Sequence, residues 1–592
     1  MIEGFYEKEL VEKSFDRKTA FRLFKFIKPY RHLLGFTIFL LLLTAGLQVM
    51  GPFLIKLAID NYITAGRLDG LLYIVLLYGL VILFEFAIRY FQGYYTEYIG
   101  QKIMYDMRME IFSHIQKLPM SYFDKNPVGR VMTRVTTDVQ SLNEMLSSGI
   151  VTLFGDIFMI AGIMAIMLAL DWKLSLVSFS VLILLVIATF IFRAKVRVAF
   201  RIIRTRISNI NSFLQEAISG INTTKIFNRQ KENNDEFSVL NRDYLNAYLR
   251  TILYYAVFFP VVILISTLAV ALVVWYGGGQ VIQNILTLGT LVAFIQYVEK
   301  FFHPISDLSE KFGILQEAIA ASERIFNLLD LKPAITSPAN PVRVERVKGN
   351  IKFEKVWFAY NEGNYILKDI SFDLQPGQSI AFVGATGSGK TSIINLVNRF
   401  YDIQKGKILL DGIDIKRFNL QDLRRHIGVV MQDVFLFSGT ILENIKLGNE
   451  DISLERVIEA SKYVNAHKFI KKLPGQYGFE VKERGQVLSV GQRQLIAFAR
   501  ALVFNPEVLL VLDEATSSID SEIEALIQDA LVKIMEKRTT IIIAHRLSTI
   551  KNVDKIIVLL HGGIVERGTH RELLRAKGIY HKLYKYQYQL QK

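Results

Sequence analysis

Cysteine is absent from the 592 residues of this chain. Disulfides, thiolate metal sites, iron–sulfur clusters and a cysteine nucleophile are therefore all excluded. Charge is scarce as well: Asp, Glu, Lys and Arg make up 21% of the sequence, against 51% hydrophobic residues. A disordered chain needs the opposite balance, and a wholly water-soluble one sits awkwardly with this one. At about four times the usual single-domain length, the polypeptide is expected to form several domains.

The missing charge is concentrated in the first half. Leu33 to Ile55 holds no acid or base, and Gly70 to Phe84 continues past Glu85. Met145 to Leu170 is interrupted only by Asp156, Leu174 to Phe192 is bare, and Thr251 to Val298 carries no charge at all. The first four runs are each near the ~20 residues that cross a bilayer as a helix, and the last is about twice as long. A glycine triplet, Gly277 to Gly279, is expected to divide the last run in two, which gives six helices. Helices are required because a spanning backbone must satisfy its own hydrogen bonds.

Basic residues alternate between loops. Residues 1–32 hold eight Lys/Arg, the segment between the second and third runs seven, and that between the fourth and fifth eleven. Between Asp60 and Asp69 there is only Arg67, and between Asp171 and Lys173 one lysine. The positive-inside bias places both termini in the cytoplasm of a multi-pass cell-membrane protein. It also removes a nucleic-acid partner, because the net +15 is spread over alternate loops and not over one basic face. Glu3, Glu7, Glu9, Glu12 and Asp16 make the amino terminus too acidic for a mitochondrial presequence, and no cleavable signal is expected. Within the runs, Glu85 and Asp156 are costly, so either they face a cavity and attract a cationic cargo or they pair with a base such as Arg89.

Residues 90–145 and 193–250 read as membrane helices prolonged into the cytoplasm, with turns near Pro119, Asn126-Pro127 and Gly220. Pro333, Pro338 and Pro341 mark a linker. Beyond it, Ser379–Val383, Val508–Leu512, Thr540–Ile543 and Lys555–Leu559 are expected strands alternating with amphipathic helices, the pattern of a mainly parallel α/β domain. The expected organisation is therefore a cytoplasmic segment 1–32, an all-α six-helix membrane domain 33–330, a linker 331–348 and an α/β P-loop ATPase domain 349–592.

Gly384-Ala385-Thr386-Gly387-Ser388-Gly389-Lys390-Thr391 follows an apolar strand and precedes a helix expected near Ser392. This is the phosphate-cradling loop: glycines let backbone N–H groups close on phosphate oxygens, Lys390 bridges β and γ phosphates, and Thr391 offers its hydroxyl to Mg²⁺. A plain glycine-rich turn is the alternative, and the strand–loop–helix context argues against it. Val508–Leu512 ends in Asp513-Glu514, where the carboxyl end of a central strand presents Asp513 to Mg²⁺ and Glu514 to an attacking water. His545 follows another strand and is placed to sense the γ phosphate.

Leu488-Ser489-Val490-Gly491-Gln492 opens a helix that runs on through Arg493 to Arg500. Together with the phosphate loop, Asp513-Glu514 and His545, it resembles the ATP-binding cassette exporters of the half-transporter type, over almost the whole chain. Phe123 to Gly129 and Ala320 to Phe326 resemble stretches of exporter membrane domains. The resemblance implies Tyr360 as the residue stacking on adenine, Gln432 as a contact to Mg²⁺ and the membrane domain, and Glu483-Arg484-Gly485 as a loop meeting the intracellular loops. It further implies Ser517 to Asp520 as a dimer-crossing segment, Glu514 as catalytic base and His545 as switch histidine. Ser489, Gly491 and Gln492 would grip the ATP of a second half-transporter, identical or related. Val490 departs from the family's usual glycine; it narrows the backbone options at one residue and tilts the partner towards a related second chain.

The function so implied is ATP-driven export of hydrophobic or amphipathic compounds by alternating access in a dimer. A lipid flippase and an ATP-gated channel or sensor are the rivals. ATP and Mg²⁺ are the expected cofactors, and the turns around Ser121–Gly129 and Ser212–Lys225 the expected coupling contacts.

Overall fold

A computed structural model describes residues 17–590, apart from 345, 432, 514–520, 537 and 545–549. The chain forms two compact units. One runs to Gln116 and resumes over Gly129–Leu331; the other joins Lys117–Val128 to the chain from Lys332 onward.

Among its described residues the first unit is helical apart from short turns. Its main helices are Arg31–Ala58, Leu71–Ile115, Thr152–Leu170, Trp172–Ser180, Leu182–Ser219, Gln230–Ile282 and Leu288–Leu329. The 53 residues of Gln230–Ile282 extend about 80 Å at ~1.5 Å per residue, far beyond the ~30 Å hydrocarbon core. Among the described residues, five helical stretches are long and apolar enough to cross a membrane. The helix Leu288–Leu329 lies where the sixth crossing is expected but is not among those five; its charge-free stretch ends at Val298. Protein takes the place of lipid around it: Ala293, Phe294 and Tyr297 are fully buried, and the Tyr297 hydroxyl donates to the Val49 carbonyl at 2.8 Å.

One expected boundary moves. The helix Gln230–Ile282 passes straight through Gly277–Gly279, and the chain turns only at residues 283–287, where Asn284 adopts φ +55°. Gly277 is small for a packing reason. A Cβ there would lie 2.8 Å from Leu291 and 3.3 Å from Leu174, so the missing side chain lets neighbouring helices approach.

Both intramembrane acids are paired. Glu85 meets Arg89 at 3.3 Å and accepts from Gln48 Nε2 at 3.1 Å, while Asp156 is bonded to Lys311. Each carboxylate is thus compensated within the protein, the condition for keeping an ionised group at that depth. Asp138, only 4% exposed, sits between Arg134 at 2.9 Å and Arg324 at 2.5 Å. Arg324 in the Ala320–Phe326 stretch therefore ties the last helix to the helix Thr137–Glu144. At its other end the last helix meets the amphipathic helix Arg17–Ile27, where Arg22 clasps Asp330 at 2.6 Å and lies over the Phe326 ring.

The second unit contains two main sheets. Strands β1 (Ile351–Phe358), β2 (Leu367–Leu374), β3 (Ser379–Val383), β4 (Lys405–Leu410), β5 (Ile413–Asp414) and β6 (Ile427–Val430) come first. They are followed by β7 (Gly439–Thr440), β8 (Glu480–Val481), β9 (Val508–Asp513), β10 (Thr539–Ala544), β11 (Lys555–Leu560) and β12 (Gly563–Gly568). The order β2-β1-β4-β5 makes an antiparallel sheet, and β12-β11-β3-β10-β9-β6 a sheet that is parallel except for β12. All five residues of β3 are buried, as an uninterrupted apolar run at the centre of a parallel sheet requires. Alternation assigns its two faces. Ile380 and Phe382 pack with Phe353 and Phe372 of the antiparallel sheet, whereas Ala381 and Val383 join the core formed with the helices Val490–Phe504 and Ser521–Met535. The expected strands match β3, β9, β10 and β11 to within one residue at each end.

The glycine triplet offers an internal control. Gly277→Ala is expected to destabilise by about 1–3 kcal/mol through overpacking. Gly278→Ala and Gly279→Ala, where a Cβ meets nothing within 4 Å, should leave the protein unaffected. Thermal melting of the three solubilised variants checks this; equal losses at all three positions would contradict the packing role.

Candidate functional site

Strand β3 delivers the chain to the phosphate loop, and the following helix starts at Lys390, about half a turn before the expected Ser392. Two glycines are required by the shape of that loop. Gly389 caps the helix at φ +99°, and a Cβ there would lie 2.6 Å from Leu367 Cδ2. At Gly384 a Cβ would come 2.3 Å from the Leu559 carbonyl oxygen. A side chain at either point would collide with the strands behind the loop and force it out of shape.

Lys390 is 6% exposed, and its ammonium donates to the carbonyls of Gly384 at 2.7 Å and Ala385 at 3.0 Å. Its charge is thereby held inside the curve of the loop. Ser388 N–H donates to the Ala385 carbonyl at 3.1 Å, while its buried hydroxyl has no hydrogen-bond partner among the described residues. An orphaned hydroxyl beside a clasped ammonium, at a helix amino terminus, fits an anionic ligand. Thr386 and Gly387 form the exposed turn of the loop, Thr391 is exposed on the first helical turn, and Ser392 is buried. Asp513 ends β9 as expected, and β9 pairs in parallel with β10 and β6. Gln432, Glu514, Ser517 to Asp520 and His545 lie outside the described residues.

Tyr360 stands just past β1 with 37% of its surface exposed. Its hydroxyl shares a hydrogen bond with Ser392 at 3.1 Å and accepts from Asn395 Nδ2 at 3.2 Å. Phe358 and Tyr401 meet the ring edge-on, at 4.8 Å and 4.9 Å between centroids. Two adjoining aromatic rings brace it, and more than a third of its surface stays open to a stacking partner. Tyr401 was not foreseeable from the motifs, since it belongs to none of them; the adjoining Phe400-Tyr401-Asp402 stretch lies between the loop helix and β4. Its hydroxyl donates to Asp124, in the short helix Met120–Lys125. Burial and the neighbouring carboxylate push the Tyr401 phenol above its ordinary range, so it remains a donor at any physiological pH.

At the other motif, Ser489 caps the helix Val490–Phe504 in a reciprocal box. Its side chain accepts from the Gln492 N–H at 3.3 Å, and Gln492 Oε1 accepts from the Ser489 N–H at 3.0 Å. Gly491 has no room for a side chain, because a Cβ would lie 2.3 Å from Ile523 Cγ2. Val490 is the first helical residue and is not among those with positive φ, so the valine meets no backbone strain there. The expected cost of replacing glycine is thus absent from the backbone and rests on the valine side chain alone. Arg493 pins this helix to the preceding turn through the Gly485 and Leu488 carbonyls, each at 3.3 Å.

A family model described as the ABC transporter transmembrane region matches residues 34–305, and one described as ABC transporter matches residues 367–517. The uncharacterized ABC transporter ATP-binding protein YknV of Bacillus subtilis is 38% identical over 99% of this chain and 98% of its own. The chain belongs to the ABC transporter family. The probable multidrug resistance ABC transporter ATP-binding/permease protein YheH of Bacillus subtilis is 40% identical over 88% of this chain and 77% of its own. An ATP-dependent lipid A-core flippase of Syntrophus aciditrophicus is 35% identical over 96% of this ABC transporter chain and 94% of its own. The combination of membrane and ATP-binding regions in one polypeptide makes this ABC protein a multi-pass membrane ATPase of the half-transporter kind.

Removing the clasped ammonium should weaken nucleotide binding. Charge-assisted hydrogen bonds are worth about 1.5–3 kcal/mol, so Lys390→Ala is expected to raise the Kd for ATP roughly ten- to a hundredfold. Equilibrium binding of a fluorescent ATP analogue measures this, and an unchanged affinity would remove Lys390 from phosphate binding.

Proposed function

We propose that this ABC transporter exports hydrophobic or amphipathic compounds across the cell membrane, driven by ATP hydrolysis at sites shared between two half-transporters. The observation that carries this reading is the phosphate cradle with Lys390 clasped inside it, on the same chain as membrane-crossing helices. Tyr360 stacks on the base, the backbone N–H groups of Gly384 to Ser392 surround the phosphates, and Lys390 bridges β and γ. Thr391, Asp513 and Gln432 would hold a Mg²⁺, which neutralises phosphate charge during hydrolysis. Glu514 orients and polarises the attacking water, and His545 meets the γ phosphate. Ser489, Gly491 and Gln492 close the site of the opposite protomer.

Triphosphate charge binds two electropositive surfaces together, and hydrolysis releases them. The prolonged helices pass that opening and closing to the bilayer-crossing segments, so access alternates between the two sides. Ser121–Gly129 and Ser212–Lys225 are the coupling turns. Both termini and the ATPase lie in the cytoplasm, on the side where Lys and Arg accumulate. Because Glu85 and Asp156 are already neutralised by Arg89 and Lys311, greasiness and shape select the cargo more than positive charge does. The relative named as a lipid A-core flippase supports lipid translocation as a second reading.

Glu514→Gln should abolish ATP turnover while leaving ATP binding intact; turnover at the wild-type rate would remove Glu514 from the role of base. ATP-dependent dye uptake into inverted vesicles supports drug export, and translocation of a labelled lipid in liposomes supports the flippase. Robust ATPase activity from the lone polypeptide would indicate a homodimer, and its absence a related second chain.

A further inference from the structure

Tyr401 touches both the residue proposed to stack on the base and a segment that the chain inserts between two membrane helices. Its ring stands at 88° to Tyr360, with the centroids 4.9 Å apart, and its hydroxyl donates to Asp124. Phe358 completes the brace, 4.8 Å from Tyr360 and 5.8 Å from Tyr401. Tyr360 is therefore free to move only as far as its two aromatic neighbours and its hydroxyl partners on the loop helix allow.

Asp124 sits in a stiff hook. Pro119 starts the helix Met120–Lys125, and Asn126 ends it by bonding the Tyr122 carbonyl through both its backbone N–H, at 3.1 Å, and its side chain, at 2.8 Å. Pro127 follows directly. A hook held rigid at both ends cannot absorb a shift of its acid by bending, so a displacement of Tyr401 is passed to the segment as a whole. A phenol-to-carboxylate hydrogen bond is charge-assisted and directional, which suits it to carry such a displacement.

We propose that Tyr401 is a positioning residue that joins the adenine end of the nucleotide site to the segment Lys117–Val128, its ring bracing Tyr360 and its hydroxyl holding Asp124. Base stacking then does two things at once: it fixes Tyr360, and through Tyr401 it orders the segment. The inference rests on Tyr360 as the base contact, but it does not depend on which cargo is exported or on export itself.

The test is hydrogen exchange on the full chain in lipid nanodiscs, with and without the non-hydrolysable analogue AMP-PNP. In the wild type, nucleotide should slow exchange both at residues 358–360 and in 117–128. Tyr401→Phe, which keeps the ring and loses the hydroxyl, should retain the first effect and cut the second by about threefold or more. Asp124→Ala should behave as Tyr401→Phe does, the double variant should be no worse than either alone, and Asp124→Asn, which keeps an acceptor oxygen, should restore the protection. Tyr401→Ala should in addition raise the Kd for AMP-PNP about threefold or more, because Tyr360 loses its brace. The proposal is overturned if nucleotide does not protect 117–128 in the wild type, if Tyr401→Phe keeps that protection, or if Asp124→Asn loses it as fully as Asp124→Ala. Protection without ATP-driven transport would refute the export reading and leave this one standing.

Discussion

Burying an ammonium group is expensive, and the phosphate loop is built around one. Lys390 is nearly inaccessible and is met by two backbone carbonyls of its own loop. Only a chain with glycine at 384 and 389 can curl that tightly, since the Leu559 carbonyl and Leu367 occupy the space where side chains would go. The requirement spreads outward. Leu367 belongs to the antiparallel sheet and Leu559 to the parallel one, so both sheets must be in place before the loop has its shape. Strand β3, buried along its whole length, fixes the loop's entry, and the helix from Lys390 fixes its exit.

A different constraint governs the helical unit. In the bilayer, apolar surface gains little from contact with protein, so helices associate through small residues and compensated polar groups. Gly277 against Leu291 and Leu174 shows the first device. Asp156 with Lys311, and Glu85 with Arg89 and Gln48, show the second. The last helix combines both needs: it buries its aromatic stripe in protein while Glu299 and Lys300 remain exposed on its surface. A lipid-facing helix would show the reverse arrangement.

Much of this was legible in the sequence, for identifiable reasons. Apolar runs bounded by turn residues placed β3, β9, β10 and β11, because a central parallel strand has no solvent face to blur its pattern. In the stretch Gly384–Thr391 the spacing of the residues is what stands out in the sequence, and the structure gives Gly384 and Gly389 a steric reason and Lys390 two carbonyl partners. The turn between the last two membrane helices was not. A glycine triplet usually reads as a break, yet here one of its members is a packing notch, and the break is made by Asn284 in a left-handed conformation. The partners of Asp156 and Asp138 were equally hidden, since Lys311 and Arg324 lie more than a hundred residues away and only the packed helices bring them together. For Tyr401, no motif or periodicity marked a residue whose role depends on a carboxylate so distant in sequence.

Residues 117–128 group with the later part of the chain although in sequence they fall between helices of the earlier part. No single cut of the chain therefore separates the two units. A recombinant ATPase fragment begun at Lys332 would leave behind the acid that Tyr401 addresses, and with it whatever that phenol contributes to the neighbouring ring. A test of what Tyr401 does for its neighbours therefore needs residues 117–128 present, as they are in the full chain.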